Sequence, residues 1–421
     1  MLVVTAIQEN KEKVLEGLKK RNFQDLGIID EVIHTDELRR KTQFELDQLL
    51  AEANKLSKEI GQLFKEGKAD EANALKEKTS EQKSSIKELQ DLLNTYESTL
   101  KHLLYQIPNI PNEKVVAGKT AEDNEIVFKQ GDDSPKVGAF PHWELAKKHQ
   151  LIDFELGVKI TGAGFPVYLG KGARLQRALI QFFLDRNTDA GYTEIIPPFV
   201  VNEASGIGTG QLPDKEGQMY YINEDNLYLI PTSEVPVTNI YRDELLEESQ
   251  LPIKMTAYSP CFRREAGSYG KDVRGLNRLH QFEKVEIVRI EKPEDSYQVL
   301  EEMVEHVKGL LEDLELPFRI LRLCGGDTGF ASAMTYDFEV FSAAQEKWLE
   351  VSSVSNFESF QANRLKLRYK KDGKNELCHT LNGSALALPR ILAALLENHQ
   401  TAEGNIRIPE KLRSYTGFDM I

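Results

Sequence analysis

The chain has 421 residues, 40% of them hydrophobic, and a formal net charge of −14. Its length exceeds one ordinary core and predicts two or three domains. No stretch has the apolar length of a membrane span, and the opening MLVVTAIQENKEK carries acids and lysines where a secretory signal has its apolar core. Cys261, Cys324 and Cys378 are isolated and odd in number, which argues against a disulfide framework or a CxxC metal site, so a cytoplasmic chain with reduced thiols is expected. The acidic balance disfavours nucleic acid as a partner unless cations cluster locally.

In chain order, a helix is predicted over about Glu9 to Lys20, ahead of the strongest periodic signal. Leu46, Leu49, Ala53, Leu56, Ile60 and Leu63 are spaced 3,4,3,4,3, and a second series runs from Ala72 and Leu75 through Thr79, Gln82, Ile86, Leu89, Leu93, Tyr96 and Leu100 to Leu103. These are coiled-coil seams. Gly67-Lys68-Ala69-Asp70 lies between them, with Gly suited to ending one helix and Asp to capping the next. So short a turn makes the arms antiparallel, and arms of about 30 residues would extend roughly 45 Å. Thr79 and Gln82 soften the seam near its tip. Taken alone, such an arm fits a dimerisation or spacer coiled coil as well as one that reaches a remote partner.

The helices end at Ile107-Pro108-Asn109-Ile110-Pro111, and a polar, Gly/Asp-rich stretch to Lys136 is predicted to be a linker. Beyond it strands alternate with helices. A helix is expected over Ala173 to Asp189, with Leu175, Ala178, Leu179, Phe182 and Phe183 on one face, then a strand from Tyr192 to Pro198. Thr232-Ser233-Glu234 sits among apolar residues and prolines, in the manner of a turn or cap.

Cys261 to Glu286 holds four arginines and three glycines between two strand-like ends, a composition suited to polyphosphate. Pairing of those ends would bring Arg263, Glu265, Phe282 and Glu286 together. Trp348 to Ser353 reads as a strand on which Glu350 and Ser353 offer hard oxygen ligands. Cys378 to Arg390 reads as a strand, a turn at Gly383 and a helix beginning close to Pro389. Each segment alone also suits an ordinary charged hairpin, edge strand or core helix.

Their order is more specific. Phe262-Arg263-Arg264-Glu265, the loop Ala266-Gly267-Ser268, Arg274-Gly275-Leu276 and His280-Gln281-Phe282-Glu283-Lys284-Val285-Glu286 resemble motif 2 of the class II aminoacyl-tRNA synthetases, in the form of the seryl-tRNA synthetases. The helix and strand ending at Pro198 are similar to motif 1, the homodimer interface of that family, and His379 to Arg390 to motif 3. The resemblance spans essentially the whole chain. It implies an α+β fold, with an N-terminal antiparallel coiled-coil hairpin followed by a catalytic domain on an antiparallel sheet flanked by helices. The expected domains are a tRNA-binding unit over 1–107, a linker over 108–136 and a catalytic domain over 137–421.

By the same resemblance, serine, ATP and tRNA(Ser) are the substrates, seryl-adenylate the intermediate, and Mg2+ the cofactor, held by Glu350 and Ser353. Arg263 and Arg390 are the implied catalytic residues. Arg264, Arg274, Arg278, Val351 and Ser352 join them around ATP, while Glu265 is implied to read the adenine amino group and Phe282 to stack on the ring. Thr232 and Glu234 are implied to meet the serine ammonium, and Ser233, Arg263, Glu286, Thr380, Asn382 and Ser384 to complete the serine site. The arm is implied to contact tRNA(Ser), and charging of selenocysteine tRNA stays open. Val354, Ser359 and Asn363 depart from the family pattern of cysteine, aspartate and arginine. A carrier-protein ligase that keeps the ATP site is disfavoured by the complete hairpin, and a non-catalytic coiled-coil protein by the arginines and acids together.

Overall fold

The computed structural model describes residues 1–135, 138–214, 217–265 and 274–421. The loop Ala266-Gly267-Ser268 and Lys136 lie outside the described residues. The chain divides into two units, 1–19 with 23–108, and 20–22 with 109–421.

In the first unit, short helices α1 (Val4–Glu9) and α2 (Lys11–Lys20) precede the long antiparallel pair α3 (Ile28–Lys65) and α4 (Ala69–Gln106). The heptad positions form the seam: Leu46, Ala72, Leu93, Leu100 and Leu103 are buried and the other seam residues half-buried, while most residues between them are exposed. Each long helix has 38 residues, about 57 Å at 1.5 Å per residue. The expected length was short because α3 begins before the heptads, where Ile28, Ile29 and Val32 are buried. Asp70 does not cap α4. The N-cap is Lys68, Gly67 takes φ +77° to turn the chain, and Asp70 lies in the first turn, where its charge meets the positive end of the helix. Thr79 turns its hydroxyl back to the Leu75 carbonyl (2.8 Å), and Gln82 Oε1 is buried without a hydrogen-bond partner, so the seam is softest there.

The second unit is built on a sheet of eight strands: β1 (Glu125–Gln130), β2 (Thr193–Glu194), β3 (Ile253–Phe262), β4 (Gln281–Glu291), β5 (Phe318–Arg322), β6 (Met334–Ser342), β7 (Lys347–Asn356) and β8 (His379–Ala387). Their spatial order is β1-β5-β6-β7-β8-β4-β3-β2, antiparallel except for the short edge pair β2 and β3. Helices α5 (Gly170–Asp189), α6 (Ser296–Asp313) and α7 (Leu388–Asn398) pack against it. In α6, Val299, Leu300, Met303, Val304, Val307, Leu310 and Leu311 form one buried face over a core that includes Phe318, Phe338 and Ile287. Among the described residues, no helix is long and apolar enough to cross a membrane.

Three expectations change. The stretch 108–136, expected as a linker, supplies edge strand β1, with Glu125 opposite Arg322 and Gln130 opposite Phe318. An edge strand with much of its surface in water lacks the apolar alternation of a buried one. Of the strand expected over Tyr192 to Pro198, only Thr193 and Glu194 pair, before Pro197 and Pro198 withdraw backbone donors. Gly383 does not turn the chain: it lies inside β8, facing Ile287 on one side and Val354 on the other. A Cβ there would come within 3.2 Å of Val354 Cγ2, so glycine serves close packing. Val354, one of the three departures from the family pattern, is fully buried at that contact.

Phe338 is fully buried in β6. Phe338→Ala is expected to destabilise the second unit by about 3–5 kcal/mol, seen as a lower urea midpoint of its aromatic circular-dichroism transition. An unchanged midpoint would contradict this account of the core.

Candidate functional site

Strands β3 and β4 pair from Phe262 opposite Gln281 to Ile253 opposite Ile290. Because strand side chains alternate, Phe282, Lys284 and Glu286 emerge on one face. The two chain ends of the intervening loop are tied by Arg263 N–H to the His280 carbonyl (2.9 Å). Strand β8 brings Ser384 opposite Glu286, and β7 brings Ser355 opposite Asn382. The resulting cavity of about 510 Å³ is lined from several elements, among them Thr232, Glu234, Arg263, Glu286, Glu350 and Arg390.

At one end is a buried polar cluster. Thr232 Oγ1 donates to Glu286 Oε2 (3.3 Å), Lys284 Nζ pairs with the same carboxylate, and Glu286 Oε1 has no hydrogen-bond partner. Glu234 Oε1 accepts from Gln361 Nε2 (2.7 Å). Burial and then the charge of Glu286 push the Glu234 carboxyl up to about 7, against the pull of Gln361, Lys284 and Arg263. An unpaired buried acceptor beside a second acid suits a small polar cation carrying a hydrogen-bond donor.

At the other end the groups are cationic. The Arg263 guanidinium lies 5.2 Å from the centre of the Phe282 ring. Arg278 pairs with Glu265, whose backbone takes φ +48°. Arg390 donates from Nε to the Asn277 carbonyl (3.0 Å) and from Nη1 to the Glu350 carbonyl (2.7 Å). Planar guanidinium forks around an aromatic ring are suited to a nucleotide and its phosphates.

Of the expected site residues, Glu265, Arg278, Phe282, Val351, Ser352, Ser353, Asn382 and Ser384 also line this cavity. Four do not line it. Arg264 is exposed and gives its N–H to the Gln218 carbonyl; Arg274 lies 4.6 Å from the centre of the Trp143 ring. Ser233 is buried behind Thr232 with its hydroxyl toward the Ala257 carbonyl (3.4 Å). Thr380 is buried and donates to Gln361 Oε1 (2.7 Å), so it reaches Glu234 only through that amide.

Sequence reasoning missed Lys284, Gln361, Asn277 and Asp337. Lys284 had a signal, its two-residue spacing from Phe282 and Glu286. Asp337 is the cross-strand partner of Ser353 and accepts its hydroxyl. Burial and the charge of Glu350 raise its carboxyl well above the ordinary value, and its Oδ1 is buried without a partner.

The chain is similar to known proteins over its whole length. Residues 1–111 match the model of the seryl-tRNA synthetase N-terminal domain, and 219–399 that of the tRNA synthetase class II core domain (G, H, P, S and T). The chain is 50% identical to a serine–tRNA ligase of Salinibacter ruber, covering 100% of this chain and 99% of that one, and 48% identical to one of Chlorobaculum parvum, covering both chains fully. Among solved structures, the seryl-tRNA synthetase of Pyrococcus horikoshii complexed with ATP superposes with a TM-score of 0.91 at 34% identity, over 100% of this chain and 99% of that one. The cytoplasmic serine–tRNA ligase of Naegleria fowleri in complex with AMP gives 0.87 at 30% identity, over 100% and 98%. With a heptad hairpin, an antiparallel catalytic sheet and full-length similarity of this kind, the chain belongs to the seryl-tRNA synthetase family of class II aminoacyl-tRNA synthetases.

Proposed function

We propose that the chain attaches L-serine to tRNA(Ser) at the expense of ATP, through seryl-adenylate. The observation that carries this reading is Glu286 Oε1, a buried acceptor without a partner in the cavity that also holds Arg263 and Arg390. A serine hydroxyl would satisfy that oxygen, whereas alanine or glycine would leave it unpaired. Glu234, with Thr232 beside it, is placed for the ammonium group, and Asn382 and Ser384 complete the wall.

In the first step a serine carboxylate oxygen attacks the α-phosphorus of ATP, a new P–O bond forms, and pyrophosphate leaves with the electron pair of the broken bond. In the second, a hydroxyl of the terminal tRNA ribose attacks the carbonyl carbon and AMP departs. The barrier to the first step is repulsion between anions. Arg263 is placed to offset charge at the α-phosphoryl group, with Arg278 and Arg390 on the distal phosphates, so positioning and electrostatics carry the catalysis. Glu265 and Phe282 are assigned to the adenine. Arg264, Arg274, Ser233 and Thr380, which lie off the cavity wall, support the site from behind or act once substrate is bound.

The hard oxygens of Glu350 and Ser353 fit Mg2+, and the unpartnered Asp337 oxygen lies on the strand position paired with Ser353. Bound Mg2+ would supply charge neutralisation at the ATP phosphates. We assign the hairpin α3–α4 to tRNA(Ser), read by shape and backbone, 137–421 to catalysis, and a homodimer contact to the region of Pro198, where Ile196 is 84% exposed. A cytoplasmic location accords with these substrates. A solved complex of A. aeolicus tRNASec with the M. kandleri SerRS resembles this fold at 20% identity, and selenocysteine tRNA is a second acceptor to test.

Three outcomes are expected. Glu286→Ala lowers serine-dependent pyrophosphate exchange by about 10²–10⁴-fold while leaving ATP affinity nearly unchanged; exchange with normal serine kinetics would contradict the assignment. The serine KM falls as pH rises through about 7, because deprotonated Glu234 is the form that holds an ammonium group. Glu234→Gln removes that dependence and weakens serine, and a pH profile unaltered by the substitution would count against it. Deleting 36–105 abolishes tRNA charging and spares exchange; loss of both would argue against separate modules.

A further inference from the structure

His142 opens the helix His142–Lys148 and is fully buried beside Glu397 of α7. Its Nδ1 lies 2.7 Å from Glu397 Oε1, and the Leu276 N–H donates to its Nε2 (2.8 Å). A backbone amide can only donate, so Nε2 carries no proton, Nδ1 does, and the imidazole is neutral. Glu397 accepts further bonds from the His142 N–H (2.9 Å), Gln345 Nε2 (3.0 Å) and the Ser342 hydroxyl. Burial alone would raise the Glu397 carboxyl; the bonds from His142 and Ser342 outweigh it and hold it below the ordinary value.

From this carboxylate two chains of hydrogen bonds reach consecutive residues at the cavity. One runs through His142 to Leu276. The other runs through Gln345, whose Oε1 accepts from Asn277 Nδ2 (2.8 Å). The Asn277 carbonyl in turn accepts from Arg390 Nε, and Arg390 stands on α7, seven residues before Glu397. The ring is closed. Gly275 permits it: at φ +67°, an added Cβ would lie 2.2 Å from His142 Nε2. Arg274 over Trp143 fastens the residue before.

Resting on the proposed function of the cavity, we propose that His142 is a positioning residue for ATP, which fixes Leu276 and Asn277 so that Arg390 meets the nucleotide in one orientation. The imidazole touches no substrate. Its contribution is the acceptor at Nε2, which the amide of glutamine can reproduce and the shorter amide of asparagine cannot.

The test compares His142→Asn with His142→Gln in the full chain, by ATP and serine KM values in pyrophosphate exchange and by ATP titration calorimetry. The asparagine variant is expected to raise the ATP KM about tenfold, the worth of one buried hydrogen bond, with the serine KM changed less than about twofold, and glutamine is expected to restore most of the loss. Equal ATP values for the two variants, or a parallel rise for both substrates, would overturn the proposal, since a general packing defect behaves that way. If the asparagine variant fails to fold, Gln345→Leu carries the same test through Asn277: a several-fold rise in the ATP KM supports the proposal and an unchanged value overturns it. If the unaltered chain shows no serine-dependent exchange, the reading of the cavity fails, and calorimetry with ATP still decides the role of His142.

Discussion

The structure turns on a buried balance of charge. Glu234 and Glu286 are both buried in one wall of the cavity, where Lys284 pairs with Glu286 and the charges of Lys284 and Arg263 act on Glu234. Burial and the charge of Glu286 raise the Glu234 carboxyl. Glu286, tied on one oxygen by Lys284 and Thr232, keeps the other open, while Glu234 leans on Gln361. Such a cluster persists only if the surrounding frame holds its members within hydrogen-bond reach, which is the task of paired strands β3, β4 and β8.

The sheet performs that task through period and register. The two-residue repeat of β4 puts Phe282, Lys284 and Glu286 in a row, so that one strand lines the cavity with a ring, a cation and an acid. β8 then leads without a break into α7, with Pro389 in its first turn, and Arg390 projects back toward the cavity. Anchoring cavity side chains on strands and a helix start, rather than on loops alone, keeps their geometry stiff. The hairpin obeys different physics. Along the heptads it packs its own seam residue by residue, while the start of α3 also packs against α1, where Gln8 bonds Asp36.

That contrast explains what was legible in the sequence. The hairpin was plain because a 3,4 spacing is a local signal, and burial follows it position by position. Motif 2 was plain because its residues lie close together in the chain. β1 was obscure because much of an edge strand faces water, and Gly383 because a glycine required by the neighbouring Val354 looks the same in sequence as one required by a turn. Gln361, Asp337 and His142 gave no signal at all: each acts through a partner far along the chain, His142 through Leu276 and Glu397. Asp70 shows the limit at a helix end, where a residue of the right type stood two places beyond the position that needed a cap.

On the proposed role of Glu286, its unpaired oxygen makes amino-acid choice a matter of hydrogen bonding more than of volume. A pocket defined by fit alone would accept alanine and glycine with modest loss, whereas a buried acceptor penalises them heavily. The most direct measurement is pyrophosphate exchange by the purified chain with each of the twenty amino acids in turn. The account predicts exchange with serine at a specificity about 10³-fold or more above alanine and glycine. Comparable exchange with alanine, or exchange supported by a different amino acid in place of serine, would contradict it.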